Sequence, residues 1–148
     1  MISGVRHTGI VVSDLQGGIR FWVDLLGFQI VSNQLESGDF VDRLLGLVDV
    51  QVQTVKLKSN DATMVELLHY KSSHSSPFWE RSTYSRGITH IALNTQDVDE
   101  LVQRLRKEGF HSINEPEISP DKRVKACYLR GFEGVLLELV ETLDHENS

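Results

Sequence analysis

The chain reads as an α+β protein built from two tandem βαβββ modules, on three observations. Apolar periodicity switches between strand and helix along its 148 residues. The order strand, helix, three strands occurs twice, and equivalent residues recur at nearly constant spacing in the two halves. With 40% hydrophobic and 24% charged residues, the chain has the balance of a folded globular protein, and its length suits one domain-sized core.

Residues 5–12, VRHTGIVV, are β-branched and apolar and read as a strand, followed by two helix-capping residues, Ser13 and Asp14. In LQGGIRFWVDLLGF, Ile19, Trp22, Val23 and Leu26 recur at helical spacing, and Gly27 is the residue type found just past a helix end. Phe21 and Trp22 are expected in the core. FQIVSNQL reads as a strand, ESGDFVDRLLGL as a loop carrying a short helical turn, and VQVQTVKLK as a strand by near-strict alternation. Turn residues at 59–61 lead into the strand TMVELLHY.

The Ser-rich stretch KSSHSSPFWERSTYSRG holds the first of three prolines and reads as a linker with one helical turn at residues 77–82. The modules therefore span about residues 3–71 and 86–142, with the linker at about 72–85. GITHIALNT is a strand. QDVDELVQRLRKEG is a helix with apolar Val98, Leu101, Val102 and Leu105 and a stop at Gly109. FHSINEP, RVKACYLR and GVLLELVET complete the second set of strands, and DHENS is a polar tail expected to fray.

The repeat holds residue by residue. His7 and His90 lie 83 residues apart, as do Asp14 and Asp97; Gly27-Phe28 and Gly109-Phe110 lie 82 apart, and Glu66 and Glu138 lie 72 apart. Each half thus carries one histidine early in its first strand and one glutamate midway along its last. A glutamate inside MVELL or LLELV is costly unless it is paired or bound to a cation. Two imidazoles and two carboxylates related by an internal twofold make an N2O2 set suited to a divalent first-row metal.

Charge narrows the partners. The net charge is −6 and no Lys/Arg-dense block occurs, so no nucleic acid and no anionic membrane is expected as partner. No apolar run approaches the roughly 18 to 20 residues that span a bilayer, the N-terminus lacks signal-peptide character, and the single Cys127 reads as a buried small hydrophobe. The expectation is a soluble, cytoplasmic protein. Of the remaining histidines, His69 is expected to face away from Glu66, and His74, His111 and His145 carry no assigned role.

In RHTGIVVSDL with FWVDLLGF, MVELL, GITHIALNTQDVDEL and CYLRGFEGVLLELVE, taken in this order, the chain resembles the vicinal oxygen chelate superfamily over about residues 5–141. That group includes glyoxalase I, methylmalonyl-CoA epimerase, extradiol dioxygenases and the fosfomycin and bleomycin resistance proteins. The resemblance implies paired βαβββ modules forming a curved eight-stranded mixed sheet around a metal cleft, commonly in a homodimer. It assigns the metal-ligand role to His7, Glu66, His90 and Glu138. The turn before the last strand, Gly131-Phe132-Glu133-Gly134-Val135, departs from the family's usual Asp-Pro-x-Gly-Asn.

The resemblance further implies a divalent metal (Ni, Co, Mn, Zn or Fe) that chelates a small carbonyl substrate and stabilises an enediolate while a carboxylate, Glu138 or Glu66, moves a proton. The expected activity is a lyase or isomerase of the glyoxalase or epimerase type. Ring-cleaving dioxygenase chemistry and metabolite binding by a resistance protein are the alternatives. Glu36, Asp39 and Asp42 are candidates for a second acid or base, and GDFVDRLLGL for a lid that brings Arg43 to an acidic substrate or, equally, a small helix packed on the sheet. Tyr70 is a candidate pocket residue because strand alternation puts it on the face of Glu66. The glyoxalase I branch commonly clamps glutathione with an arginine and an asparagine, each four residues after a ligand; here those positions are Val11 and Tyr70.

Overall fold

The computed structural model describes residues 1–71 and 82–143, and its eight strands are hydrogen-bonded as two four-stranded mixed sheets. One sheet lies in each of two units, Met1–Pro77 and Phe78–Ser148. Residues 72–81 and the polar tail 144–148 lie outside the described residues, and with them nearly all of the helical turn expected at 77–82.

The first unit runs β1 (Thr8–Val11), α1 (Leu15–Ile19), β2 (Gln29–Ser37), α2 (Asp39–Leu45), β3 (Gln51–Lys58) and β4 (Met64–Tyr70). The strand order is β1-β4-β3-β2, parallel between β1 and β4 and antiparallel elsewhere. Of the two capping residues, Asp14 does the work: its carboxylate accepts from the Gly17 N–H at 3.0 Å. Past α1 the chain widens into a π-helical turn (Arg20–Leu25), in which the Leu26 N–H reaches back five residues to the Phe21 carbonyl at 3.1 Å. This departs from the continuous α-helix expected there.

Phe21, Trp22 and Leu25 are all buried by that turn. Trp22 meets Phe21 and Phe28 edge to face, with ring centroids 5.9 and 5.1 Å apart. One sheet face carries Ile10, Val55, Leu57, Val65 and Leu67, all buried, and α1 lies against β4 on that side. Consequently the alternate residues of β4, among them Glu66, are on the other face.

The second unit runs β5 (Ile91–Thr95), α3 (Val98–Lys107), β6 (Glu117–Ile118), β7 (Val124–Arg130) and β8 (Leu136–Thr142), in the order β5-β8-β7-β6 with β5 and β8 parallel. Asp97, the repeat equivalent of Asp14, caps α3 by accepting from the Glu100 N–H at 2.8 Å, and the Glu141 carboxylate accepts from the Val98 N–H at 2.9 Å. Val98, Val102 and Leu105 of α3 are buried, as are Cys127, Leu129, Leu137 and Leu139 of the sheet. Burial pushes the Cys127 thiol above its ordinary value.

The hairpins of the two units close by one turn chemistry. Ser59 and Ser119 each bond an aspartate two residues on, and Asp61 and Asp121 accept from the N–H groups of Thr63 and Arg123, each at 3.1 Å. Ala62 and Lys122 take positive φ, 69° and 58°.

Two strand expectations are corrected. Both first strands begin later than their apolar runs, at Thr8 and Ile91, because pairing starts only where a partner strand lies alongside. FHSINEP is not a strand: it contributes one isolated bridge, Ser112 to Leu129, and the pairing moves to the two residues of β6. Pro116 has no N–H for a ladder, and Arg106 from α3 takes Ser112 at 3.2 Å and also Glu115. Among the described residues no helix is long and apolar enough to cross a membrane.

Replacing Trp22 by alanine removes the ring that joins Phe21 and Phe28. It should cost about 3–5 kcal/mol of stability, read as a lower urea midpoint with an unchanged m-value. A loss below about 1 kcal/mol would show that Trp22 is not a core residue.

Candidate functional site

In both units the candidate ligands are brought together by the parallel strand pair. Gly9 of β1 lies opposite Glu66 of β4, and Ala92 of β5 lies opposite Glu138 of β8. His7 and His90 stand two residues before Gly9 and Ala92, just ahead of their strands, and so share the face of the glutamates. His7 Nε2 is 2.9 Å from Glu66 Oε2, and His90 Nε2 is 3.2 Å from Glu138 Oε2.

Those separations bear on metal binding. Two donors at right angles, each about 2.1 Å from an octahedral ion, stand about 3.0 Å apart. Each His–Glu pair stands at about that spacing, which is also the length of an imidazole–carboxylate hydrogen bond. Among the described residues no group of three or more His, Cys, Asp and Glu side chains is gathered to hold a metal; each unit presents a two-donor pair.

The surroundings of the pairs differ. Glu66 is the more enclosed carboxylate, its side chain 11% exposed against 28% for Glu138. Its second oxygen, Oε1, lies 3.9 Å from Lys56 Nζ, and Lys56 of β3 stands directly across from Glu66 in the ladder. The corresponding position across from Glu138 is Tyr128 of β7. The Tyr128 ring packs edge-on against His90, centroids 5.1 Å apart, with its hydroxyl 3.5 Å from Nε2. Burial first, and then the charge and hydrogen bonding of Glu138, push the Tyr128 phenol above its ordinary value. On the other side of the ring, the Thr89 hydroxyl bonds His90 Nδ1 at 2.8 Å, which orients the imidazole and leaves Nε2 for Glu138.

The other candidates occupy defined places. Tyr70 packs against Val41, Val50 and Val52 with Leu45, Leu47 and Leu68, so α2 is a small helix seated on the sheet. Arg43 is exposed on α2. Asp42 spends both carboxylate oxygens on backbone, accepting from Asp49 N–H at 3.0 Å and Val50 N–H at 2.9 Å, which makes it a loop anchor. Asp39 lies in the first turn of α2, and Glu36 accepts from the hydroxyl of buried Thr54 at 3.0 Å. His69 bonds the Val12 carbonyl at 3.1 Å through Nδ1. Lys56, Thr89 and Tyr128 escape a reading by sequence motif. The first and last emerge only by counting back along each hairpin from its turn, which requires the turn's exact residues.

Comparison with known proteins agrees with this architecture. A probable lactoylglutathione lyase of Synechocystis sp. is 24% identical over 139 residues, covering 92% of this chain and 93% of that protein. A lactoylglutathione lyase of Neisseria meningitidis is 21% identical over 145 residues, covering 96% and 93%. Among solved structures, a glyoxalase family protein from Bacillus cereus superposes with a TM-score of 0.89 at 24% identity, covering 97% of each chain. The fosfomycin resistance protein FosX of Listeria monocytogenes, complexed with Mn(II) and sulfate, gives 0.64 at 20% identity over 97% of this chain and 95% of that one. The family profile matches residues 4–139, nearly the whole length, and the chain belongs to the Glyoxalase/Bleomycin resistance protein/Dioxygenase superfamily.

Proposed function

We propose that the protein is a metal-dependent lyase or isomerase of the glyoxalase and epimerase type, acting on a small carbonyl compound, with His7, Glu66, His90 and Glu138 as its divalent-metal ligands. The observation that carries this reading is the pair of equivalent His–Glu contacts, each at adjacent-ligand spacing. The relatives named as lactoylglutathione lyases support the reaction class, and the Mn(II) complex of FosX supports a divalent metal. When bound, such an ion supplies Lewis-acid stabilisation of the oxyanion that develops as a proton leaves the neighbouring carbon.

The chain's own residues divide the remaining work. His7 and His90 supply imidazole nitrogens, and the Thr89 hydroxyl keeps the second in register. Glu66, enclosed and flanked by His7 and Lys56, is the fixed anchor. Glu138, the more exposed carboxylate, is the one with room to take a proton from substrate and return it, so it serves as the general base. Tyr128, beside both His90 and Glu138, orients that carboxylate.

Glu138→Gln should retain metal while proton exchange from D2O into hemithioacetals or 2-oxo thioesters falls about 10²- to 10⁴-fold. Glu66→Gln should lower metal affinity about 10-fold or more. Metal analysis and deuterium wash-in followed by mass spectrometry read the two effects. A wild-type protein that takes up no divalent metal overturns the reading, and the opposite pattern in the two variants overturns the division of roles.

The expected substrate is not the glutathione–methylglyoxal adduct. Val11 is apolar and exposed, and Tyr70 is packed beneath α2, so neither provides the charge-assisted bonds that a γ-glutamyl carboxylate requires. Each such bond is worth about 1.5–3 kcal/mol, tenfold or more in affinity. Activity on that adduct should be weak or absent. A kcat/KM near 10⁶ M⁻¹s⁻¹, on the order of an ordinary enzyme, would refute this.

We further propose a homodimer in the cytoplasm, since each unit exposes an edge strand that a second copy can cover. Light scattering should give about twice the chain mass; a concentration-independent 16.8 kDa overturns it.

A further inference from the structure

We propose that Val11 and Leu68 form an apolar subsite beside the His7–Glu66 pair, one that receives an alkyl arm of the substrate. The inference deepens the reading of a small carbonyl substrate, on which it rests, and lies wholly within the first unit.

Register puts both side chains on the face of the pair. In the parallel ladder of β1 and β4, Gly9 lies opposite Glu66 and Val11 opposite Leu68. Ile10, between the two β1 residues, is buried on the face of α1, so Val11 points the other way, and it is 57% exposed. Leu68 leans back over β1: a Cβ added to Gly9 would stand 3.3 Å from Leu68 Cδ1. The leucine thus fills the space above Gly9, beside the strand position of Glu66. On its other flank it packs against Val41, Val50 and Val52, in a cluster with Leu45, Leu47 and Tyr70, so α2 walls the far end.

A strip of hydrocarbon therefore runs from Val11 across Leu68 to α2. Thr54, across from Leu68 on β3, is buried and donates its hydroxyl to Glu36 at 3.0 Å. What the strip offers a ligand is burial of apolar surface. The internal repeat shows that the fold does not demand it. At the positions of Gly9, Val11 and Leu68 the second unit has Ala92, Asn94 and Val140, in the same register. A strand at this place accepts an amide as well as an isopropyl group, yet the first unit keeps an exposed valine next to its more enclosed carboxylate.

The test titrates the full-length protein, without added metal, with three neutral hydroxymethyl ketones whose second arm is methyl, propyl or pentyl, and follows amide chemical shifts by NMR. Affinity should rise about fourfold for each added methylene, with the largest shifts at residues 9–12 and 66–70. Ratios between homologues cancel whatever the shared head group contributes. Val11→Asn, which installs the residue of the second unit, should lower the preference for pentyl over methyl about 10-fold, the effect of an amide left without a partner in an apolar contact. Val11→Ile should keep the preference. A chain-length dependence that Val11→Asn leaves intact, shifts confined to other parts of the chain, or no binding by any homologue overturns this proposal alone. The reading of a metal-dependent reaction stands or falls separately, on metal uptake and deuterium wash-in.

Discussion

Everything at the site follows from the parallel pairing of the first and last strands within each unit. A parallel pair puts residues of the two strands side by side in one direction, so a histidine just ahead of β1 or β5 comes over the middle of β4 or β8 without any special loop. The covering helix takes the opposite face, where Leu67 and Leu139 are fully buried. Glu66 and Glu138 are thereby left on the face away from that helix, each with an imidazole as partner. The energetic tension is real: a carboxylate as enclosed as Glu66 is tolerable only with charge or hydrogen-bond partners at hand. Its partners are an imidazole on one oxygen and an ammonium near the other.

The duplicated unit explains the economy of the design and where it breaks. Caps at Asp14 and Asp97, Ser–Asp hairpin turns and the His–Glu contacts recur. The positions across from the glutamates do not, and they are chemically unlike, an ammonium on one side and a phenol on the other. Symmetry holds in the caps, the turns and the His–Glu contacts and lapses at the residue across from each glutamate.

Much of this was legible in the amino-acid order, for physical reasons that differ by element. The paired strands and α3 announce themselves through apolar period, and the four candidate ligands through a repeat that keeps His7, Glu66, His90 and Glu138 in step. What was not legible depends on contacts distant in sequence. Residues 110–116 look like a strand, but Arg106 takes Ser112 and Glu115, Pro116 has no N–H for a ladder, and the ladder begins only at Glu117. The π-helical turn after Gly17-Gly18 is invisible to a 3.6-residue pattern, because what it satisfies is the seating of Trp22 between Phe21 and Phe28. Asp42 looked like an acid beside a lid, yet its oxygens are committed to the Asp49 and Val50 amides. Lys56 and Tyr128 become visible only once hairpin register is known.

The pairing of β1 with β4 also orders events during synthesis. β1 is made before the rest of its unit, yet its hydrogen-bond partner is the last strand of that unit, separated from it by α1, β2, α2 and β3. It cannot pair until more than fifty further residues of chain have been made, and β5 has a shorter wait of about forty before β8. Loop closure over that distance is the slow step of such a topology. The antiparallel ribbon of β2, β3 and β4 pairs strands adjacent in sequence, whereas β1 can pair only once β4 exists, so each His–Glu contact spans the longest-range strand pairing of its unit.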